Sequence, residues 1–205
     1  MVTKGLFVRL EAKEGKANEI ESFLASAVSL VKQEPATKAW FANRVGLTHY
    51  SIIDMFDDEA GRDAHLNGEV AKGLMQVAPE LFSSPPDIQK IDILASKLPA
   101  QQPSQPDTKG ILLTFKGTEG KEEEVIEFLK ETQPLAMEEE QTTAWFAIRL
   151  PNNEYGIFDV FPDNSARLKH IAGRIPKEVT KHSFHLNGGT PDMDLLKVTA
   201  ENFKL

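Results

Sequence analysis

The chain repeats itself. Shifted along its own length so that Lys4 falls on Lys109, it matches itself without a gap until Ala100 falls on Leu205. AWFANR at residues 39–44 meets AWFAIR at 144–149. Tyr50, Ile52, Asp54 and Phe56 meet Tyr155, Ile157, Asp159 and Phe161. Asp58, Arg62 and His65 meet Asp163, Arg167 and His170. A repeat of this length is a whole domain rather than a supersecondary motif. The chain is therefore read as two domains, residues 1–99 and 109–205. The segment LPAQQPSQPDT at 98–108 is rich in Pro, Gln and Ser, and 100–108 is read as an extended polar linker.

Each repeat reads β-α-β-β-α-β, an α+β pattern. In the first, residues 5–11 are strand-like, and Gly15 turns the chain into a helix. Ile20, Phe23, Leu24, Ala27, Val28 and Val31 then share one helical face. Residues 37–45 and 50–56 are two strands joined by a turn at Gly46, whose counterpart is Pro151-Asn152-Asn153. Asp57-Asp58-Glu59 opens a second helical region through 64–78, because acids favour a helix N-terminus. Ser84-Pro85-Pro86-Asp87 stops it, and 88–95 is the last strand. Pro134 stands where the first repeat has Ser29 and should kink or shorten the second repeat's first helix. The strands are apolar on both faces, so the side away from the helices also needs cover. The other repeat is the simplest supplier, and the reading is two ferredoxin-like units packed sheet to sheet as an internal pseudo-dimer, with further homodimerisation left open.

Composition narrows the function classes. The 31 acidic residues outweigh the 23 basic ones, giving a net charge of -8. With no run of Lys or Arg, nucleic acid is an unsuitable partner. No cysteine is present, which removes disulfides, thiolate metal ligands and thiol nucleophiles together and fits a cytoplasmic setting. No apolar run reaches the roughly eighteen residues of a membrane span, and the N-terminal segment is charged too early for a secretory leader.

Both tryptophans, Trp40 and Trp145, and both tyrosines, Tyr50 and Tyr155, are repeat mates. They read either as an aromatic pocket lining with polar handles or as the large core anchors of each repeat. Phe56 and Phe161 share the strand faces of Tyr50 and Tyr155. His65 and His170 are the paired histidines, whereas His49, His182 and His185 have no mate. Imidazole suits proton transfer near neutral pH. In Asp-x3-Arg-x2-His the alternative is an Asp58–Arg62 surface ion pair beside a packing histidine. Asp54 and Asp159 sit inside apolar strands, where a carboxylate is costly unless paired. Each is a general base, an orienter of His, or a structural partner of Arg44 or a backbone amide. Arg44 and Arg149 could stabilise a developing anion or form ion pairs. The acidic runs at 121–124 and 138–140 read as solvated surface. Metal signals are weak, His182 and His185 being the one pair near helical ligand spacing. There is no glycine-rich phosphate loop; Asn187-Gly188-Gly189 is an isolated turn signal.

YSIIDMFDDEAGRDAH at 50–65 and YGIFDVFPDNSARLKH at 155–170 resemble the antibiotic biosynthesis monooxygenase family. Its pattern there is an acidic residue near the end of a strand, an aromatic two positions on, and a His about nine residues later on a helix. Asp54, Phe56 and His65 fit, as do Asp159, Phe161 and His170, although Asp stands where Glu is commoner. The resemblance implies a dimeric α+β barrel of ferredoxin-like units, of which tandem fusions occur. It also implies oxygenation of phenolic or quinol-type molecules by dioxygen, without metal or flavin. Haem-degrading relatives use an Asn on the first strand, where this chain has Arg9 or Thr114, and that activity is disfavoured.

The resemblance leads to the expectation of a cofactor-independent monooxygenase for a small aromatic or quinol-type substrate. Its expected catalytic residues are His65, His170, Asp54 and Asp159, with Trp40, Arg44, Tyr50, Phe56, Trp145, Arg149, Tyr155 and Phe161 as candidates for binding substrate and no metal expected. The competing class is a non-enzymatic binder or structural pseudo-dimer whose pockets are filled by side chains. The smoother first helix and the glycines Gly68 and Gly73 place the deeper pocket in the first repeat, served by His65, Trp40 and Tyr50.

Overall fold

The computed structural model describes residues 1–103 and 108–204, without the side chains of 180 and 182–185. Part of the linker reading (104–107) and the side chains of His182 and His185 lie outside the described residues. The elements run β1 (Lys4–Glu11), α1 (Ala17–Val31), β2 (Thr37–Val45), β3 (His49–Phe56), α2 (Glu59–Leu66), α3 (Glu69–Leu81) and β4 (Asp87–Lys97). They continue with β5 (Lys109–Lys116), α4 (Glu122–Glu131), α5 (Gln133–Glu138), β6 (Ala144–Leu150), β7 (Glu154–Phe161), α6 (Asn164–Ile171), α7 (Arg174–Leu186) and β8 (Asp192–Phe203).

The helices follow from the periodicity, with informative departures. α1 buries Ile20, Leu24, Ala27 and Val31, one face of a 3.6-residue period. The second helical region is two helices rather than one. Gly68, extended at φ -81 and ψ 177, separates α2 from α3 and caps the latter. Asp58 and Asp163 cap α2 and α6, each accepting a 2.8 Å hydrogen bond from the amide three residues on. Pro134 shortens the second repeat's first helix: α4 ends at Glu131, and α5 restarts with the proline in its first turn. Pro176 also falls in a first turn, that of α7, where no intrahelical amide bond is lost. Gly46 (φ 65) and the Asn152-Asn153 pair (φ 61 and 57) make the two tight hairpin turns.

The chain divides into two compact units, Met1–Ile91 with the segment from Leu196 onward, and Asp92–Leu195. The first unit's sheet runs β1-β3-β2, all antiparallel, and is extended beside β2 by the end of β8 (Val45 opposite Leu196, Ala39 opposite Phe203). In the second unit β5-β7-β6 is extended by the end of β4 (Asp92 opposite Arg149, Lys97 opposite Trp145). Each unit has its own helix-side core of repeat mates, with Ile20, Leu24, Trp40 and Tyr50 in one and Val125, Leu129, Trp145 and Tyr155 in the other. The opposite sheet faces are buried too, through Phe41 and Ile53 in one unit and Phe146 and Phe158 in the other.

Candidate functional site

Pairing register sets the site before any long-range contact does. Across β2 and β3, Trp40 lies opposite Asp54 and Arg44 opposite Tyr50. Across β6 and β7, Trp145 lies opposite Asp159 and Arg149 opposite Tyr155. The capped helix that follows β3 or β7 then brings a histidine in its last turn back over the strand carboxylate.

In the first unit His65 Nε2 lies 3.3 Å from Asp54 Oδ2, and its Nδ1 lies 2.6 Å from Glu34 Oε2. Thr37 Oγ1 donates to the same Glu34 oxygen at 2.7 Å. Phe56 packs against the imidazole, centroid to centroid 5.4 Å. The second unit repeats the arrangement. His170 Nε2 is 3.6 Å from Asp159 Oδ2, His170 Nδ1 is 2.6 Å from Glu139 Oε2, and Thr142 donates to that oxygen at 2.9 Å. Phe161 covers the ring at 5.0 Å. Each imidazole thus bridges two carboxylates on opposite edges. Among the described residues no three metal-binding side chains converge on one point.

Electrostatics gives the two carboxylates different roles. Burial by itself would discharge the imidazole, but the charge of Asp54 and the hydrogen-bonded Glu34 outweigh it and lift His65 to about 10. His170 is raised in the same way, with Glu139 as its main support after burial is offset. For Glu34 and Glu139 burial pushes upward, yet the histidine and the threonine hold them below the usual carboxylate range. Asp54 and Asp159 go the other way: burial raises both, the histidine only partly offsets it, and Asp159 reaches about 7. Each site therefore holds a glutamate–imidazolium pair next to an aspartate that resists ionisation.

The units differ in the space beside that aspartate. In the second, Asp159 and His170 line an apolar cavity of about 330 Å³, walled by Ile111, Leu113, Ile157, Ile175 and Val179 and reaching Met193. The equivalent residues of the first unit, with Trp40 and Leu74, enclose only about 30 Å³, room for about one water. Beside the aspartate the second repeat, not the first, has the roomier space: the helix-breaking prolines do not close the second cavity, and the larger Leu74, where the second unit has Val179, helps fill the first. A different first-unit cavity, about 360 Å³, lies on the Glu34 side of His65 between the end of α1 and α2.

Of the residues singled out from sequence, the structure brings Asp54, His65, Phe56 and Trp40 together, and likewise Asp159, His170 and Phe161, with Trp145 across the strand from Asp159. Arg44 and Tyr50 are at the hairpin end. Arg44 is held by Glu21 at 2.8 Å and by the turn carbonyls of Gly46 and Leu47, and Tyr50 is buried in the helix-side core. Arg149 is exposed and Tyr155 is a core residue. None of these four lines a cavity beside the aspartates. Asp58 does not pair with Arg62. It caps α2, while Arg62 is buried, pairs with Glu59 and donates to the carbonyl oxygens of Gly5 (3.2 Å) and Ile91 (2.9 Å).

Sequence reasoning missed the glutamates. The acidic run at 138–140 is not uniformly solvated: the Glu138 side chain is 67% exposed, but that of Glu139 only 13%. A signal was present in the repeat. Glu34-x2-Thr37 and Glu139-x2-Thr142 are mates, as are Gly68 and Gly173. A Cβ on Gly68 would fall 2.8 Å from Glu34 Oε1, and one on Gly173 would fall 3.1 Å from Glu139 Oε1.

No protein-family model and no curated protein matches the sequence. Solved structures do match, over nearly the whole chain. A presumed monooxygenase from Fusobacterium nucleatum is 17% identical with a TM-score of 0.85, covering 99% of this chain and 95% of that one. An anthrone oxidase-like protein is 9% identical with a TM-score of 0.67, covering 98% and 93%. A ferredoxin-fold protein related to antibiotic biosynthesis monooxygenases, from Listeria monocytogenes, is 7% identical with a TM-score of 0.57, covering 97% and 95%. At such identities the likeness is one of fold: the chain is an α+β protein with ferredoxin-fold and monooxygenase-type neighbours.

Proposed function

We propose that the second unit is an oxygenase site in which the protein acts on a small aromatic or quinol-type substrate by removing a proton, leaving dioxygen to react with the resulting anion. One observation carries the reading: Asp159, held to about 7 by burial, opens onto an apolar cavity of about 330 Å³ beside His170, whose affinity for a proton is raised by Glu139 and Asp159. A carboxylate poised near neutrality is a competent general base, and the volume is at the small end of ligand pockets, about 300 to 1,000 Å³. The apolar walls select a neutral ring system, and the imidazolium stabilises the anion once formed.

For an activated ring methylene the balance is complete. Asp159 takes one C–H proton, and the carbanion adds dioxygen to form a C–O bond and a peroxide anion. That anion is protonated from the Asp159–His170 pair, and loss of water across the C–H and O–O bonds leaves a ketone. One oxygen atom enters the product and the other leaves as water. The monooxygenase-type neighbours support the reading at the level of fold, and one fold hosts many activities. For the first unit the structural alternative is favoured, because its equivalent space is filled by side chains.

The test is dioxygen uptake by the whole chain with anthrone-like phenols and quinols. Asp159→Asn should lower uptake by about 100-fold or more, the range expected when a general base is removed. No uptake with any member of the panel, or an undiminished rate in Asp159→Asn, would sink the proposal.

A further inference from the structure

The structure assigns a further role to Glu139. We infer that it is the positioning residue of the second site, fixing the imidazole of His170 by its Nδ1 edge so that Nε2 is always turned, with its proton, toward Asp159. As a contribution to catalysis this rests on the reading above; as a statement about His170 it stands by itself.

Four features support it. First, the Glu139 to His170 contact, at 2.6 Å, is a full ångström closer than the His170 to Asp159 distance of 3.6 Å. Glutamate therefore sets the ring, and aspartate is left able to titrate. Second, the glutamate is itself fixed. Thr142 donates to the same Oε2 at 2.9 Å, and Lys97 Nζ pins its turn by donating to the carbonyl oxygens of Ala136 (2.9 Å) and Glu139 (2.6 Å). Third, Gly173 leaves room for the carboxylate, since a Cβ there would lie 3.1 Å from Glu139 Oε1 and 2.9 Å from the His170 carbonyl oxygen. Fourth, the first unit has the same device although the space beside its aspartate is nearly filled: Glu34, Thr37, Gly68 and His65, its turn pinned by Lys204 through the carbonyl oxygens of Lys32 and Glu34. Its presence on both sides of the repeat shows that the four residues form one unit of construction.

The charged groups facing His170 are Asp159 from β7 and Glu139 from the turn after α5; Lys97 from β4 faces Glu139 in turn. With Glu139 neutralised the imidazolium keeps only Asp159, which is buried and reluctant to ionise. The ring should then lose its proton more easily and lose its fixed orientation.

The experiment is a pH titration of the whole chain labelled with nitrogen-15 histidine, with the His170 signals identified by their loss in His170→Asn. A second readout is binding of 4-nitrophenol, whose phenolate colour reports the proton it has given up. Glu139→Gln should lower the His170 midpoint by about one to two pH units, within the range for loss of an adjacent opposite charge. It should also weaken phenolate binding at neutral pH, and Glu139→Asp should restore most of both. If Glu139→Gln does not fold, Thr142→Val, which removes only the hydroxyl donor, should give a smaller downward shift. An unmoved His170 midpoint in Glu139→Gln, or in Thr142→Val where only that variant folds, overturns the inference even if phenol still binds. A shifted midpoint in a protein that never binds phenol instead sustains the positioning role and removes the proposed function.

Discussion

Replacing Asp159 by Asn should make the protein more stable, but only where the wild-type carboxyl would be ionised. Burial lifts Asp159 from 3.8 to about 7. Three pH units correspond to about 4 kcal/mol of folding free energy lost once the buried group is charged. Between those two values the folded state retains a proton that the unfolded chain has released. The proton's stabilising effect is therefore complete below pH 4 and is lost as pH rises through 7. Asn is nearly isosteric and carries no such cost. The attraction of the His170 imidazolium is already contained in the Asp159 value of about 7, so the expected stabilisation above pH 7 is about 4 kcal/mol. In a chain of this size that raises the unfolding midpoint by roughly 5 to 15 °C at pH 8, and by almost nothing near pH 4. The assay is denaturation followed by fluorescence in a Trp40→Phe background, which leaves Trp145, buried in the core of the second unit, as the sole indole. A stability difference that does not change with pH, or a loss that grows as pH rises, would refute the assignment of Asp159 as a carboxyl held neutral by burial.

Three other outcomes follow from the same geometry. Leu74→Ala should open the nearly filled first-unit space at a cost of about 2 to 5 kcal/mol, and calorimetry should then show a second phenol site; unchanged stoichiometry counts against Leu74 as the filler. His170→Ala should weaken phenol binding at least tenfold more than His65→Ala, and equal losses would show the two sites to be equivalent. Asp163→Ala removes the α6 cap and should cost about 1 kcal/mol, read by urea denaturation; because α6 carries His170, the phenol affinity should fall with it.

The fold was legible because repetition doubled every signal. The apolar period of α1, the hairpin turns at Gly46 and Asn152-Asn153, and the aspartates at positions 58 and 163 all act within a few residues of themselves, and local rules suffice for them. The break between α2 and α3 was less legible, since Gly68 sits in a sequence that otherwise keeps helical spacing. The His–Asp half of the site was visible because a carboxylate inside an apolar strand demands a partner. Its Glu half was not. Glu139 stands in an acidic run whose neighbour Glu138 is indeed solvated and pairs with Arg174 at 3.0 Å, so composition pointed the wrong way. Only the pairing of Glu34 with Glu139 and of Gly68 with Gly173 could have separated them. Arg44 and Tyr50 were misplaced for a different reason. Strand alternation puts them on the same face as Trp40 and Asp54, but it does not say how far along that face a helix will bring its histidine.

The comparison between the units separates what the triad needs for folding from what a site needs for chemistry. The glutamate–imidazolium link ties the end of α2 to the turn after α1 in the first unit, and the end of α6 to the turn after α5 in the second. It satisfies buried polar groups, and both copies retain it whether or not there is a space beside the aspartate. The aspartate offers no such return, because burial raises both Asp54 and Asp159 and each leaves carboxylate oxygen without a hydrogen-bond partner in the protein. A residue that weakens the fold and is nonetheless present in a cavity large enough for a ligand is best accounted for by what it does there. In the first unit the same aspartate faces a space for about one water, which leaves it no ligand to act on. The glutamate thus belongs to the architecture of both repeats, and under the proposed function the aspartate acts as a reagent only in the second unit, where Val179, in place of Leu74, leaves room for a substrate.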